Sequence, residues 1–236
     1  MYNALDLYSK VEDLLGVNEV TPTLYEYYFK TLESLDFNSL LDIGCGRGAF
    51  LAQIRDRFPN IKLMGIDLSP LMVKSTREKS IDAKCIDICH LNKKFEIITA
   101  VFDMVNYLDD KSLIEFMRCV EESLEDGGYF ICDINSLYGF KEIAVGSFIK
   151  DDSSRFVTID SFFENNEYYS EFTLFEKVDS YFLKSQESIT QYYHTLDRLQ
   201  MVTNLKLIEQ KSISIYSDEV EKFYLVFSTR SVNPRL

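Results

Sequence analysis

The stretch Leu40-Leu41-Asp42-Ile43-Gly44-Cys45-Gly46-Arg47-Gly48-Ala49-Phe50 constrains the chain more than any other. A short apolar run ends in an acid, a loop with Gly at every second position follows, and Ala49 to Phe58 then reads as an amphipathic helix. That is strand, glycine turn, helix. Glycines let the backbone turn sharply and leave its amides open to a ligand. The helix start adds free N–H groups and a positive dipole end.

The pattern repeats downstream. Ile61 to Ile66, Ala83 to Ile86, Phe95 to Phe102 and Tyr129 to Ile134 read as further strands, with Ser69-Pro70 opening one intervening helix and Lys111 to Leu124 forming another. Asp126-Gly127-Gly128 reads as the stop of that helix. Short connections between alternating strands and helices predict a parallel, doubly wound α/β sheet. Before it, residues 5–15 and 23–35 read as helices, the second opened by Thr21-Pro22. After Phe140 the pattern changes. Arg155 to Phe163, Tyr168 to Glu176 and Tyr181 to Tyr192 read as an antiparallel meander. Leu196 to Val202, Leu205 to Tyr216 and Lys222 to Thr229 then supply a last helix and two strands that rejoin the main sheet. The expected division is a main domain of residues 1–140 and 195–236, with 141–194 inserted as a β-rich lid.

The 236 residues are 46% hydrophobic, enough for one large core. A net charge of -13 would repel phosphate backbones, so nucleic acid is not an expected partner. No apolar run is long enough to span a bilayer, and the first residues lack the features of a secretory leader. Five scattered cysteines predict reduced thiols and a cytoplasmic setting. Cys85, Cys89 and His90 fit no zinc spacing and read as small buried thiols beside a polar loop.

Ligands of a doubly wound sheet bind at the carboxyl ends of its strands. Asp42, Asp67, Asp87 and Asp103 all fall at such ends. Asp67 lies 19 residues after Gly48, where a carboxylate grips a ribose diol. The third Gly comes one residue too early for a dinucleotide fingerprint, and Asp42 would disfavour a pyrophosphate. A ligand with an ammonium, a sulfonium, a ribose and an adenine fits better, which describes S-adenosylmethionine.

Asp42 to Gly48, Gly65-Ile66-Asp67-Leu68-Ser69, Cys85-Ile86-Asp87-Ile88 and Leu124 to Gly128 resemble the ordered motifs of class I S-adenosylmethionine-dependent methyltransferases. The resemblance covers roughly residues 38–135 and the two last strands. It implies a Rossmann-like, seven-stranded, mostly parallel sheet with its last strand antiparallel. It implies that Asp42 serves the amino end of the methionine part, while Gly44, Cys45 and Gly46 pass beside it. Asp67 would hold the ribose hydroxyls with Leu68 against the adenine, Asp87 would accept from the adenine amino group with Ile88 packed nearby, and Met72 would be a further cofactor-binding residue. Phe102 and Asp103 would border the methyl donor. The meander resembles the lid of relatives that methylate amines, including glycine and sugar amino groups. Tyr107 stands where some of those relatives carry His.

The expected activity is methyl transfer to a small-molecule acceptor, an amine ahead of a hydroxyl or carboxylate, leaving S-adenosylhomocysteine. A silent S-adenosylmethionine-binding protein, a protein methyltransferase and an NAD-dependent oxidoreductase are the competing readings. Tyr107, Tyr8 and His194 are the candidate bases, with His90 behind them. The aromatic-rich meander suits either a wall for a cationic amine or a homodimer surface.

Overall fold

The structure, a computed structural model, describes residues 4–15 and 17–229. Two helices come first, α1 (Ala4–Val11) and α2 (Val17–Glu33). Strands and helices then alternate: β1 (Ser39–Ile43), α3 (Ala49–Arg57), β2 (Lys62–Asp67), α4 (Pro70–Glu78), β3 (Ala83–Cys85), β4 (Phe95–Ala100), α5 (Asp110–Ser123) and β5 (Leu124–Asn135). Four strands follow, β6 (Gly146–Asp151), β7 (Arg155–Glu164), β8 (Glu167–Val178) and β9 (Tyr181–Tyr192). The series closes with α6 (Leu196–Met201), β10 (Lys206–Ile213) and β11 (Lys222–Ser228).

The main sheet has seven strands in the order β10-β11-β5-β4-β1-β2-β3. β11 runs antiparallel to both of its neighbours, and the other pairings are parallel. The central strands are buried on both faces because successive residues feed opposite cores. Leu41 and Ile98 pack with Leu113, Met117 and Val120 of α5, while Leu40 and Ile97 pack with Leu24, Tyr28 and Leu51 of α2 and α3. After β1 the chain winds outward through β2 and β3, then crosses back to place β4 on the other side of β1. The crevice between the carboxyl ends of β1 and β4 is therefore the topological switch point, where such sheets bind ligands.

The second sheet is antiparallel, in the order β6-β7-β8-β9. Its inner face packs on α1: Leu7 and Val11 meet Val157, Ile159, Phe172, Leu174 and Ile189. Polar links reinforce the contact. Lys10 pairs with Glu176 at 2.6 Å, and Arg155 reaches the Lys10 carbonyl at 2.6 Å and Asp13 at 2.7 Å.

Several boundaries depart from the sequence expectation. The first helix is only eight residues, continued by a 3-10 turn at Glu12–Leu14. α2 starts before Pro22 rather than at it, so the ring sits inside the helix, where it removes one hydrogen-bond donor. β5 starts at Leu124, and Gly127 (φ 83°) sits in a register irregularity within the strand instead of ending α5. β6 was not expected: it is an exposed edge strand with one neighbour and no buried residue to mark it. The cysteines differ most. Cys89 and Cys119 form a disulfide, so the chain is not a set of five reduced thiols, and Cys85 is exposed rather than buried.

Candidate functional site

The loop after β1 carries three residues with left-handed backbone, Gly44 (φ 68°), Gly46 (φ 53°) and Gly48 (φ 73°). Glycine is required twice over at Gly44, where a Cβ would stand 2.7 Å from Met104 Cγ of the loop after β4. A Cβ on Gly46 would meet nothing within 4 Å, so this part of the loop faces open space. Cys45 turns its side chain inward, against Gly65, and burial pushes the thiol well above its ordinary pKa. Only its backbone belongs to the loop surface.

Asp42 is 2% exposed at the end of β1. Thr99 donates to its Oδ1 at 2.7 Å, and among the described residues no cation pairs with it. Burial pushes its pKa up to about 7, against the pull of the Thr99 hydrogen bond. A buried, unpaired carboxylate next to an open glycine loop is what an ammonium group would neutralise. Asp67 ends β2 and clamps two loops, accepting from Gly46 N at 2.9 Å and Ser69 N at 2.8 Å. Burial raises its pKa despite those bonds. Leu68 is 56% exposed beside it, available as an apolar platform, whereas Met72 is buried in α4 and packs inside. Asp87 is exposed and accepts from Cys89 N at 2.8 Å, and Ile88 is buried in the core.

On the β4 side, Phe102 and Asp103 are both left-handed (φ 58° and 48°), which is strained for residues other than glycine. Asp133 of β5, fully buried, holds them there. Its two oxygens accept from Phe102 N at 2.8 Å and Asp103 N at 3.0 Å, and Tyr28 donates to it at 2.7 Å. Lys222 of β11 reaches both Asp103 (2.5 Å) and Asp133 (3.1 Å). Burial pulls the Lys222 pKa down, but the two carboxylates outweigh it and keep the ammonium charged. Gln191 of β9 donates to the other Asp103 oxygen at 2.6 Å. Asn106, fully buried, donates to the Tyr192 carbonyl at 2.8 Å and accepts from Asn135 N at 2.9 Å. The second sheet is thereby tied to the end of β5.

Between the two sheets lies a cavity of about 460 Å³. Its polar lining includes Tyr8, Asp103, Tyr107, Tyr168, Ser170 and Gln191, and among the described residues Asp103 is its one charged side chain. Tyr8 and Tyr107 therefore meet at one place. Neither is a base at neutral pH, because burial, reinforced by neighbouring acids, pushes both phenols well above their ordinary pKa. His194 does not line the cavity. It is 5% exposed, its Nε2 is 2.9 Å from the Leu108 carbonyl, and burial lowers its pKa. His90 is exposed and does not line the cavity either.

Besides Asp133, Lys222, Gln191 and Asn106, two more residues that the sequence did not assign to the site join it, Glu12 and Tyr25, the latter expected only as a packing residue. Glu12 Oε2 is buried without a hydrogen bond, with Arg47 Nε at 3.3 Å. Its charge acts on Tyr8, Tyr25 and Tyr107. Tyr25 of α2 packs on Phe102 (5.7 Å between centroids) and feels the Asp42 charge. α1 itself closes the arrangement. Ser69 Oγ donates to Asp6 at 2.6 Å, and Arg47 donates to the Ser9 carbonyl.

A family model described as a methyltransferase domain matches residues 40–128. Malonyl-[acyl-carrier protein] O-methyltransferase of Acetivibrio thermocellus is 32% identical over 90 residues, 33% of this chain and 32% of its own length. The chain thus spans a quarter to a third of the length of the curated relatives it matches. Among solved structures, an S-adenosylmethionine-dependent methyltransferase from Clostridium acetobutylicum superposes with a TM-score of 0.77 at 22% identity, covering 96% of this chain and 99% of that one. The sugar N-methyltransferase KedS8 from a Streptoalloteichus species gives 0.69 at 17% identity, covering 98% and 94%. Residues 40–128 thus match the model of a methyltransferase domain, and the sheet built around them has the Rossmann-like fold of solved S-adenosylmethionine-dependent methyltransferases.

Proposed function

We infer that this protein methylates a small amine-bearing molecule, using S-adenosylmethionine as donor and the cavity between its two sheets as the acceptor site. The observation that carries the acceptor class is Asp103: a single carboxylate in an otherwise neutral, tyrosine-rich lining. The second sheet and α1 act as the lid over that cavity, and the inserted segment 141–194 is its source. The amine reading also draws support from the likeness to a sugar N-methyltransferase, which runs through the second sheet.

The donor, when bound, supplies a methyl group already activated on a cationic sulfur. Asp42 would answer its ammonium, Gly44 and Gly46 would give it room, Asp67 would take the ribose hydroxyls, and the exposed Leu68 and Asp87 would take the adenine, while Ile88 stays in the core. The cavity must then hold a nitrogen in line with the methyl group, and such positioning supplies ~7–11 kcal/mol. With both tyrosines kept protonated, they orient the acceptor by hydrogen bonds and do not remove its proton. The amine attacks in its neutral form. Positive charge then grows on nitrogen, and Asp103, pre-positioned by Lys222 and Gln191, stabilises it there.

Transfer of labelled methyl to a panel of amines, alcohols and carboxylates tests the reading. Turnover of amines is expected, with Asp103→Asn lowering kcat/KM about 10–100-fold. Turnover confined to hydroxyls or carboxylates would reject the amine assignment.

Asp42 makes a separate pH prediction. Its folded pKa of about 7 lies above that of an unfolded Asp, so the ligand-free protein binds a proton that the unfolded chain gives up. Stability from this group is therefore greatest at acid pH and declines as pH rises from about 4 to 7. A cationic ligand needs the opposite, ionised form. Affinity for S-adenosylmethionine should weaken as pH falls below about 7, and titration calorimetry across that range should show the slope vanish in Asp42→Asn.

A further inference from the structure

Away from the acceptor cavity, the Cys89–Cys119 disulfide joins the turn at Ile88–His90 to α5, across 30 residues of chain. Cys89 is half-buried and Cys119 buried. A second cavity, of about 340 Å³, opens on this bond and is lined by both cysteines together with Asn92, Lys93, Lys94 and Glu122. Arg118 holds Glu122 at 2.6 Å, so the acid is compensated and the two lysines set the sign of the cavity. The same Arg118 places Nη2 3.4 Å from Cys119 Sγ. The bond also sits beside the adenine end of the site: Cys89 N donates to Asp87, and Ile88 precedes Cys89.

We propose that Cys89–Cys119 is an exchangeable disulfide, opened from this cavity by a small anionic thiol, and that it fixes the adenine-side turn in its binding conformation. Four features converge. Cys89 is half-buried at the edge of the core and lines the cavity. Lys93 and Lys94 attract a thiol that carries carboxylates. Arg118 stabilises the departing sulfur anion. The turn that would be freed carries Asp87 and Ile88.

In the step itself, a thiolate attacks Cys89 Sγ and forms a new S–S bond while the Cys89–Cys119 bond breaks. Cys119 leaves as a thiolate beside Arg118 and takes a proton from water. A second thiolate then attacks the external sulfur of the mixed disulfide, releasing the small disulfide and the Cys89 thiolate. Two external thiols are oxidised to one disulfide, and the protein pair is reduced to two thiols. In a reducing compartment such a bond acts as a switch, not a permanent staple. The effect on ligand binding rests on the function proposed above, but the exchange does not.

The test compares glutathione with cysteamine at matched thiolate concentration, counting protein thiols by alkylation and mass spectrometry. Hydrogen exchange of residues 86–92 and titration with S-adenosylhomocysteine are followed in both redox forms. Glutathione should open the bond faster, and Lys93→Glu should remove its advantage. Opening should speed amide exchange at 86–92 about tenfold and weaken S-adenosylhomocysteine several-fold. Cys119→Ser should behave as the reduced form without any thiol, and reduced wild type serves in its place if that variant fails to fold. A bond that resists glutathione, that opens equally fast with cysteamine, or that opens without change at 86–92 would overturn the proposal. If neither form binds S-adenosylhomocysteine, the cofactor reading falls, while thiol counts and amide exchange still decide the redox site.

Discussion

Asp133→Ala is expected to destabilise the protein by about 3–5 kcal/mol, the largest effect of any single side-chain truncation at the site. Asp133 is fully buried and satisfies four donors: the Phe102 and Asp103 amides, the Tyr28 hydroxyl and the Lys222 ammonium. Truncation leaves all four without that acceptor. It also releases the two left-handed residues, Phe102 and Asp103, whose amides it holds. Asp133→Asn keeps one acceptor oxygen but points an NH₂ at a donor, so it should lose roughly half as much. Lys222→Met should cost less in the Asp133→Ala background than in wild type, because the stranded charge is then gone. Urea unfolding midpoints measure all three. A loss under about 1 kcal/mol for Asp133→Ala would mean that the network is bridged in some other way.

Asp67→Ala is expected to weaken S-adenosylhomocysteine about 100-fold. Two charge-assisted hydrogen bonds to ribose hydroxyls, at roughly 1.5 kcal/mol each, give about 3 kcal/mol, and each 1.4 kcal/mol is tenfold. The same carboxylate ties Gly46 to Ser69, so its loss also loosens the open loop. Stability should move far less than affinity. Burial already raises the Asp67 pKa, which marks the ionised side chain as poorly solvated in the free protein, and its removal relieves that cost. Calorimetric titration and a thermal melt on the same sample separate the two effects. An affinity within about threefold of wild type would remove Asp67 from the ribose site.

The alternating half of the chain was legible because its signals are local. Strands buried on both faces read as apolar runs, Ser69-Pro70 caps a helix, and the positive-φ positions of the β1 loop are all Gly. The chemistry that decides the site is not local. Asp133 and Lys222 are 89 residues apart, and each reads alone as an ordinary strand residue. Glu12 joins the site only because α1 docks on the second sheet. Tyr8 and Tyr107 both line the cavity, yet their burial, which bars them from acting as bases, is a property of the packing around them and carries no sequence signal. His194 was singled out for its chemistry, and the Leu108 carbonyl claims it. The odd cysteine count pointed to thiols, while a pair 30 residues apart, one on a turn and one on a helix, carries no spacing signature.

α1 has one more consequence. Eight residues are too few to hold a helix alone, so its shape is imposed by what it touches. Those contacts are the β1 loop through Arg47, the β2 loop through Asp6, and the lid through Lys10 and Arg155. This short helix is thus a wall of the cavity, which it lines with Tyr8. Any change that displaces it changes the lining of that cavity, and a preparation altered there reports on a different pocket from the one described.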